Sequence, residues 1–225
     1  MGCLRVNGRF SVDKEQILTN THQFVKETLS GEASGHDWWH IVRVAKTALT
    51  IAKSEGADLF ICEMAALLHD MADSKLFDEA KALAEVKDFL SQQGLTADQI
   101  DQITNIMMGI SYKGGHNTAQ LSLEGQVVQD ADRLDAIGAI GIARTMAYSG
   151  NKGRLIHDPS KQPRENLTLE DYRKGEDTAI MHFYEKLLKL KDLMNTKEGK
   201  HLAQGRHEFM GSYLQQFYAE WDGER

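Results

Sequence analysis

The feature that most constrains the fold of this chain is the spacing of its apolar residues, which recur three and four positions apart along most of its 225 residues. This period places them on one face of an α-helix. The only prolines are Pro159 and Pro163, so helices elsewhere are not interrupted by proline. No segment alternates apolar and polar residues as a strand would, and no internal repeat is present. We therefore predict an all-α protein.

Helix boundaries follow from glycines, capping residues and changes of polarity. The predicted helices span about 17–31, 42–56, 59–71, 78–93, 96–109, 121–148, 168–194 and 196–221. The segment 59–71 is apolar nearly all round, which predicts a buried helix. The segment 121–148 is expected to bend or break around Gly138 and Gly141, and 149–167 is predicted to be the longest loop.

The predicted helices suggest one domain with a helical extension. We expect residues 1–11 to be a flexible leader and residues 12–150 to form the core. Residues 151–225 are expected to be a loop plus C-terminal helices that pack on that core within the same domain.

Charge and composition exclude several classes of protein. The net charge of -7 argues against binding to nucleic-acid polymers, which requires a basic surface, although local cations would still hold a small phosphorylated substrate. Cys3 and Cys62 are too few for a disulfide framework. No signal-peptide core and no apolar stretch of membrane-spanning length occurs. We therefore expect a cytoplasmic protein with no membrane partner.

The first pattern that carries chemistry is the pair His69–Asp70, which ends the apolar helix 59–71. Buried histidine and aspartate side chains need partners, because their desolvation is costly. A divalent metal ion would bind both, and a hydrogen-bonded pair at a helix end is the alternative. His-Asp also occurs at His157–Asp158, which lies beside Pro159 and is interpreted as a turn.

The second pattern is GHDWWHIVRV (35–44), where His36 and His40 are four positions apart and face the same way on a helix. Both could bind a metal, or one could bind metal while the other contacts substrate. The alternative is a pair of surface histidines beside the tryptophans Trp38 and Trp39.

The third pattern is QDADRLDAIGAIGIAR (129–144), with Asp130, Asp132 and Asp135 close together. Asp132 and Asp135 share a helical face. The apolar run that follows indicates a mostly buried helix, where carboxylates are costly unless a cation neutralises them. A solvated acidic face is the alternative, and the apolar run favours the metal site.

Taken together, the motifs resemble the HD superfamily of phosphohydrolases, whose motif order is H…HD…D. The segments GHDWWHIVRV, AALLHDMADSK and VVQDADRLDAIGAIGIAR are similar to the small bacterial, YedJ-like members. The resemblance implies an all-α HD-domain helical bundle and a divalent metal ion. The implied metal ligands are His40, His69, Asp70 and Asp132.

The same resemblance implies catalytic roles for two further residues. Asp73 lies three positions after Asp70, where several HD enzymes place an acidic residue acting on the attacking water or the leaving group, and His36 lies next to the site. The extra histidines of two-metal HD proteins are missing, and only His116 remains, in a loop. We therefore expect one ion (Mn, Fe, Co, Ni, Mg or Zn), with manganese favoured.

Basic residues lie beside every motif of this acidic chain, and cations meet the charge that develops on a phosphoryl group during its transfer. The candidates for substrate binding are Arg43, Lys75, Lys113, Arg133 and Arg144.

The favoured function is pyrophosphohydrolysis of (deoxy)nucleoside triphosphates. A nucleotide phosphomonoesterase, a phosphodiesterase for cyclic or signalling nucleotides, and a metal-binding regulatory protein without turnover remain alternatives. The expected partner is a small phosphorylated substrate, a nucleotide, and the chain could assemble as a homodimer.

Overall fold

The computed structural model describes residues 13–29, 37–71, 78–110, 120–164 and 178–224. Within these ranges there is no strand, and the all-α prediction is confirmed. The helices are α1 (Lys14–Thr28), α2 (Trp38–Glu55), α3 (Leu59–Leu68), α4 (Glu79–Gln92), α5 (Ala97–Gly109), α6 (Leu123–Asp135), α7 (Gly138–Asn151), α8 (Ala179–Glu185), a 3₁₀ helix (Leu187–Leu193) and α9 (Lys197–Trp221).

Helix α3 lies at the centre of the bundle and packs against α1, α2, α5 and α6. Its residues Met64, Leu67 and Leu68 are fully buried. Burial of each such side chain contributes about 1.5–3 kcal/mol relative to exposure, so this helix anchors the core. Because α3 is central, the residues that follow it directly begin inside the protein.

Capping residues fix where the helices begin. Asp37 caps α2 by accepting a hydrogen bond from the backbone N–H of His40 at 2.8 Å. Thr96 and Gln99 form the predicted capping box at the start of α5. Such caps satisfy backbone N–H groups that the helix leaves unpaired, and they hold the first turn in place.

The bend predicted within 121–148 is present as a break between α6 and α7. Gly138 has a φ of +74°, which a residue with a Cβ adopts only with strain. Gly141 lies so close to the end of α6 that a Cβ there would be 2.3 Å from the carbonyl oxygen of Ala136. The two helices therefore pack backbone against backbone where they join.

The single long helix predicted for 168–194 is wrong in its second half. Residues 165–177 lie outside the described ranges, and helix α8 ends at Glu185. Lys186 leaves helical geometry and the chain continues as a 3₁₀ helix. The tighter period places Leu187 and Leu190, three residues apart, on the same buried side.

The described part of the predicted loop is held down by hydrogen bonds. The backbone N–H groups of Ala179 and Ile180 donate to the carbonyls of Leu155 and Ile156. Asp158 accepts hydrogen bonds from the N–H and hydroxyl of Ser160, which is the geometry of a turn.

The ring of His157, beside Asp158, lies edge-on against Phe217, Tyr218 and Trp221. It therefore anchors the segment to α9.

Helix α9 packs against α2, α6 and α7, which joins the C-terminal part to the bundle. The boundary near residue 150 and the role of the leader stay predictions, and residues 1–11 lie outside the described ranges. Among the described helices, none combines the length and apolar character that crossing a bilayer requires.

Candidate metal centre

Three helices of the bundle bring the four predicted metal ligands to one place. His40 lies in the first turn of α2, and Asp132 lies in the last turn of α6. His69 and Asp70 directly follow α3, so its burial places both inside the protein. His40, His69 and Asp70 are buried, whereas the Asp132 side chain keeps 34% of its exposure. The centre is therefore closed on three sides and open at Asp132.

The facing atoms of these side chains are all close together. Nε2 of His40 lies 3.5 Å from Oδ2 of Asp70 and 3.5 Å from Oδ1 of Asp132. Nε2 of His69 lies 3.4 Å from Oδ1 of Asp70 and 3.8 Å from Oδ1 of Asp132. Two imidazole nitrogens and two carboxylates thus surround one point.

The second ring nitrogen of each histidine is held by an acceptor. His69 donates from Nδ1 to the backbone carbonyl of Ala66 at 2.8 Å. His40 donates from Nδ1 to Oδ2 of Asp135 at 2.7 Å. A neutral imidazole with its proton on Nδ1 presents a lone pair on Nε2, which is the form that binds a metal. Burial lowers the pKa of His40 against the opposing effect of Asp135, which favours the neutral ring.

The donor set fits a divalent ion. Within the ranges that the structure describes, Nε2 of His69 is buried and has no hydrogen-bond partner. A buried polar atom without a partner is costly, and a cation between the two carboxylates would complete it. Mixed imidazole and carboxylate ligation suits the divalent first-row metals. His40, His69 and Asp70, with Asp132 at the open side, are the residues that would hold the ion.

Asp135, whose role the sequence left open, is buried and binds three positively polarised side chains. Besides His40, it accepts two hydrogen bonds from Arg43, at 2.7 and 3.0 Å, and one from Arg144 at 2.7 Å. Burial alone would raise the pKa of Asp135, but the hydrogen bonds from His40 and Arg43 outweigh it and hold the pKa well below its usual range. The one sequence signal for this role was its position three residues after Asp132.

Asp130 lies away from the centre although it is close in sequence. It is fully buried and accepts hydrogen bonds from the backbone and side chains of Asn195 and Thr196, just before α9. The idea that a cation neutralises all three aspartates is therefore wrong for Asp130, because hydrogen-bond donors at a helix start stabilise its charge.

The predicted substrate-binding arginines take different positions. Arg43 and Arg144 meet at Asp135, beside the centre, and both are partly exposed. Arg133 donates to the carbonyl of Leu193. Four other predicted site residues lie outside the described ranges, namely His36, Asp73, Lys75 and Lys113, and so does His116.

Comparisons with known proteins identify the family of this chain and agree with its fold. The HD domain family matches residues 38–137. An HD-superfamily hydrolase from Bacillus thuringiensis is 45% identical, with a TM-score of 0.76 over 93% of this chain and 99% of that one. The chain belongs to the HD superfamily of hydrolases.

Within that superfamily it is similar to the Bacillus subtilis protein YpgQ, which is 41% identical over 212 residues, or 93% of this chain and 94% of YpgQ. A protein of Lactobacillus plantarum is 47% identical, with a TM-score of 0.82 over 93% of this chain and 98% of that one. The crystal structures of YpgQ include one in complex with ADP, which is 38% identical with a TM-score of 0.75 over 92% of this chain and 96% of that one.

A divalent ion is expected to stabilise the fold, because it would bind the native arrangement of ligands and not the unfolded chain. At about 100 times the dissociation constant, binding adds about 2.7 kcal/mol to the free energy of unfolding. This corresponds to a rise in melting temperature of roughly 5–10 °C. Differential scanning fluorimetry of EDTA-treated protein with and without Mn²⁺ measures it. An unchanged melting temperature over a wide range of Mn²⁺ would contradict the fit of the site.

Proposed function

We propose that this protein is a metal-dependent phosphohydrolase that converts (deoxy)nucleoside triphosphates to the monophosphate and pyrophosphate. The observation that carries the proposal is the convergence of His40, His69, Asp70 and Asp132, with both histidine Nε2 atoms turned inward. One manganese ion is the favoured occupant. Once bound, a divalent ion would lower the pKa of a water molecule and polarise the phosphorus atom.

The side chains around the centre divide the remaining tasks. Asp132 lies at the open side, where substrate would enter, and the buried pair His69 and Asp70 closes the opposite side against water. Asp73 and His36 keep their predicted roles in moving protons at the attacking water or the leaving group, as general acids and bases do.

The charge beside the centre suits a chain of phosphates. Arg43 and Arg144 carry two positive charges, and Asp135 neutralises one of them. These three side chains together keep one excess positive charge, although Asp37 also acts on Arg43, and a divalent ion would offset the charges of Asp70 and Asp132. Arg43 uses Nε and Nη2 for Asp135, so Nη1 can point toward a phosphate oxygen. A phosphate anion binds most tightly to an arginine whose planar guanidinium group is already held in position.

A nucleotide as the phosphate carrier is supported by two observations. YpgQ has been crystallised in complex with ADP. In this chain the indole of Trp39 is 65% exposed one residue before His40, whereas Trp38 packs toward the core. An exposed aromatic ring beside a phosphate site can stack on a base, and stacking of this kind tolerates any of the bases.

The test is product analysis with EDTA-treated protein resupplied with Mn²⁺, Mg²⁺, Co²⁺ or Ni²⁺. The substrates are nucleoside tri-, di- and monophosphates, cyclic nucleotides and p-nitrophenyl phosphate. Asp70→Ala removes a ligand, and Asp158→Ala, which alters a turn with Ser160 and not the centre, is the control. We expect monophosphate and pyrophosphate in equal amounts from triphosphates, with Asp158→Ala active and Asp70→Ala inactive.

Other outcomes of this test are equally informative. Release of inorganic phosphate from monophosphates alone, or turnover of cyclic nucleotides alone, would overturn the substrate class and keep the metal chemistry. No turnover of any substrate, with Mn²⁺ bound, would overturn the enzymatic proposal and favour a metal-binding regulatory protein.

A further inference from the structure

The carboxylate of Asp135 accepts hydrogen bonds from side chains of two other helices. Its Oδ2 accepts from Nδ1 of His40, Nη2 of Arg43 and Nη1 of Arg144, and its Oδ1 accepts from Nε of Arg43. Three of these contacts share Oδ2 and one engages Oδ1, so both oxygens of the carboxylate accept from side chains. Among the described residues, the group whose ligand atoms lie close enough to share an ion is His40, His69 and Asp70, and Asp135 contacts that group through the other ring nitrogen of His40.

We propose that Asp135 is a positioning residue that couples the metal centre to the phosphate-binding arginines. The same carboxylate holds His40 with its proton on Nδ1 and holds Arg43 and Arg144 at the edge of the centre. The part of the proposal that concerns His40 rests on the fit of the four ligands to a metal ion. The part that concerns Arg43 and Arg144 rests on the proposed function.

The geometry of helix α2 explains how one residue serves both tasks. His40 and Arg43 are three positions apart, so their side chains leave α2 on the same side. Asp135, at the last residue of α6, receives both, and Arg144 reaches it from α7. Displacement of this one carboxylate would therefore disturb a metal ligand and two phosphate-binding groups together.

A purely structural ion pair is the competing explanation, and Asp130 supplies a matched control for it. Asp130 is on the same helix, is buried like Asp135 and accepts several hydrogen bonds, but its partners are Asn195 and Thr196. Asp130→Asn and Asp135→Asn thus make the same change at two buried sites, of which only one contacts a histidine of the centre.

The first measurement is Mn²⁺ affinity by electron paramagnetic resonance of EDTA-treated protein, with no substrate present. Loss of an outer partner of a metal-binding histidine weakens metal binding by about 10–100-fold, and we expect this for Asp135→Asn. Asp130→Asn is expected to lower the melting temperature and keep the Mn²⁺ dissociation constant of the unaltered protein. Equal dissociation constants for Asp135→Asn and the unaltered protein would overturn the proposal.

The second measurement is ¹⁵N NMR of the histidine rings in the metal-free protein, made first on the unaltered protein and then on Asp135→Asn. We expect the His40 ring to carry its proton on Nδ1, and Asp135→Asn to shift it toward Nε2, because an amide can donate where the carboxylate could only accept. A proton on Nε2 of His40 in the unaltered protein would overturn the proposal even if Asp135→Asn fails to fold.

The coupling is tested with pyrophosphate as the probe, at saturating Mn²⁺. Asp135→Asn is expected to bind pyrophosphate more weakly than Asp130→Asn does, because the loss of the common anchor of Arg43 and Arg144 outweighs the removal of one negative charge beside them. Equal or tighter binding of pyrophosphate by Asp135→Asn would overturn the part of the proposal that concerns the arginines. Absence of nucleotide turnover in the unaltered protein would refute the proposed function alone, since the Mn²⁺ and NMR measurements involve no substrate.

Discussion

Replacement of His69 by alanine is expected to abolish metal-dependent turnover and to weaken Mn²⁺ binding severely. His69 contributes a buried Nε2 that faces Asp70 and Asp132 at 3.4 and 3.8 Å. Loss of an outer partner of a metal ligand costs about 10–100-fold, so loss of the ligand itself should exceed about 100-fold in Mn²⁺ affinity. Isothermal titration calorimetry with Mn²⁺ and steady-state release of pyrophosphate measure the two effects.

The control for this prediction is His201→Ala, which removes an exposed histidine on α9. It is expected to retain both Mn²⁺ affinity and turnover. His69→Ala should also lose the rise in melting temperature that Mn²⁺ gives the unaltered protein, because the ion no longer stabilises the native state. A His69→Ala protein that binds Mn²⁺ as tightly as the unaltered protein would contradict the proposed ligand set.

Replacement of Gly141 by alanine is expected to give a large loss of stability. A Cβ at this position would lie 2.3 Å from the carbonyl oxygen and 2.5 Å from the carbonyl carbon of Ala136, and backbone atoms cannot rotate away. We expect a loss of at least about 3 kcal/mol, the upper part of the usual range for overpacked sites. This lowers the melting temperature by roughly 6–12 °C, as measured by circular dichroism.

Gly150→Ala, on the same helix α7, is the matched control for Gly141→Ala. A Cβ at Gly150 would meet no atom within 4 Å. A glycine in a helix costs about 0.5–1 kcal/mol relative to alanine, so this variant should be as stable as the unaltered protein or slightly more stable. Equal melting temperatures for the two variants would show that α6 and α7 do not pack as closely as described.

The sequence predicts the helical bundle well because local rules govern most of its helices. The period of the apolar residues, the cap at Asp37 and the capping box at Thr96 act within a few residues of each helix start. The burial of α3 follows from its apolar composition alone. That burial explains why His69 and Asp70 were good candidates for a site.

The different roles of the neighbouring aspartates could not be predicted, because their partners are distant in the sequence. Successive helix positions differ by about 100° around the axis, so Asp130 and Asp132 face nearly opposite sides. Asp130 meets Thr196, 66 positions away, and Asp135 meets His40, 95 positions away. Which of them faces the candidate metal centre depends on how α6 packs against α2 and α9.

The 3₁₀ helix after Glu185 escaped prediction for a similar reason. The apolar residues of 187–193 suit an α-helix as well as a 3₁₀ helix. The structure adds a tertiary contact at the point of change: Glu185, the last residue of α8, is buried where Arg164 donates to both of its carboxylate oxygens, and helical geometry ends at the next residue, Lys186. Helix propensities describe single residues, so they cannot predict a contact between residues that are distant in the sequence.

The most direct test of the metal centre is anomalous X-ray diffraction from crystals of the protein grown with Mn²⁺. We expect one strong anomalous peak per chain, between Nε2 of His40, Nε2 of His69 and the carboxylates of Asp70 and Asp132. We also expect this peak to disappear in His69→Ala crystals. A peak elsewhere in the chain, or no peak among these four side chains at saturating Mn²⁺, would contradict this expectation.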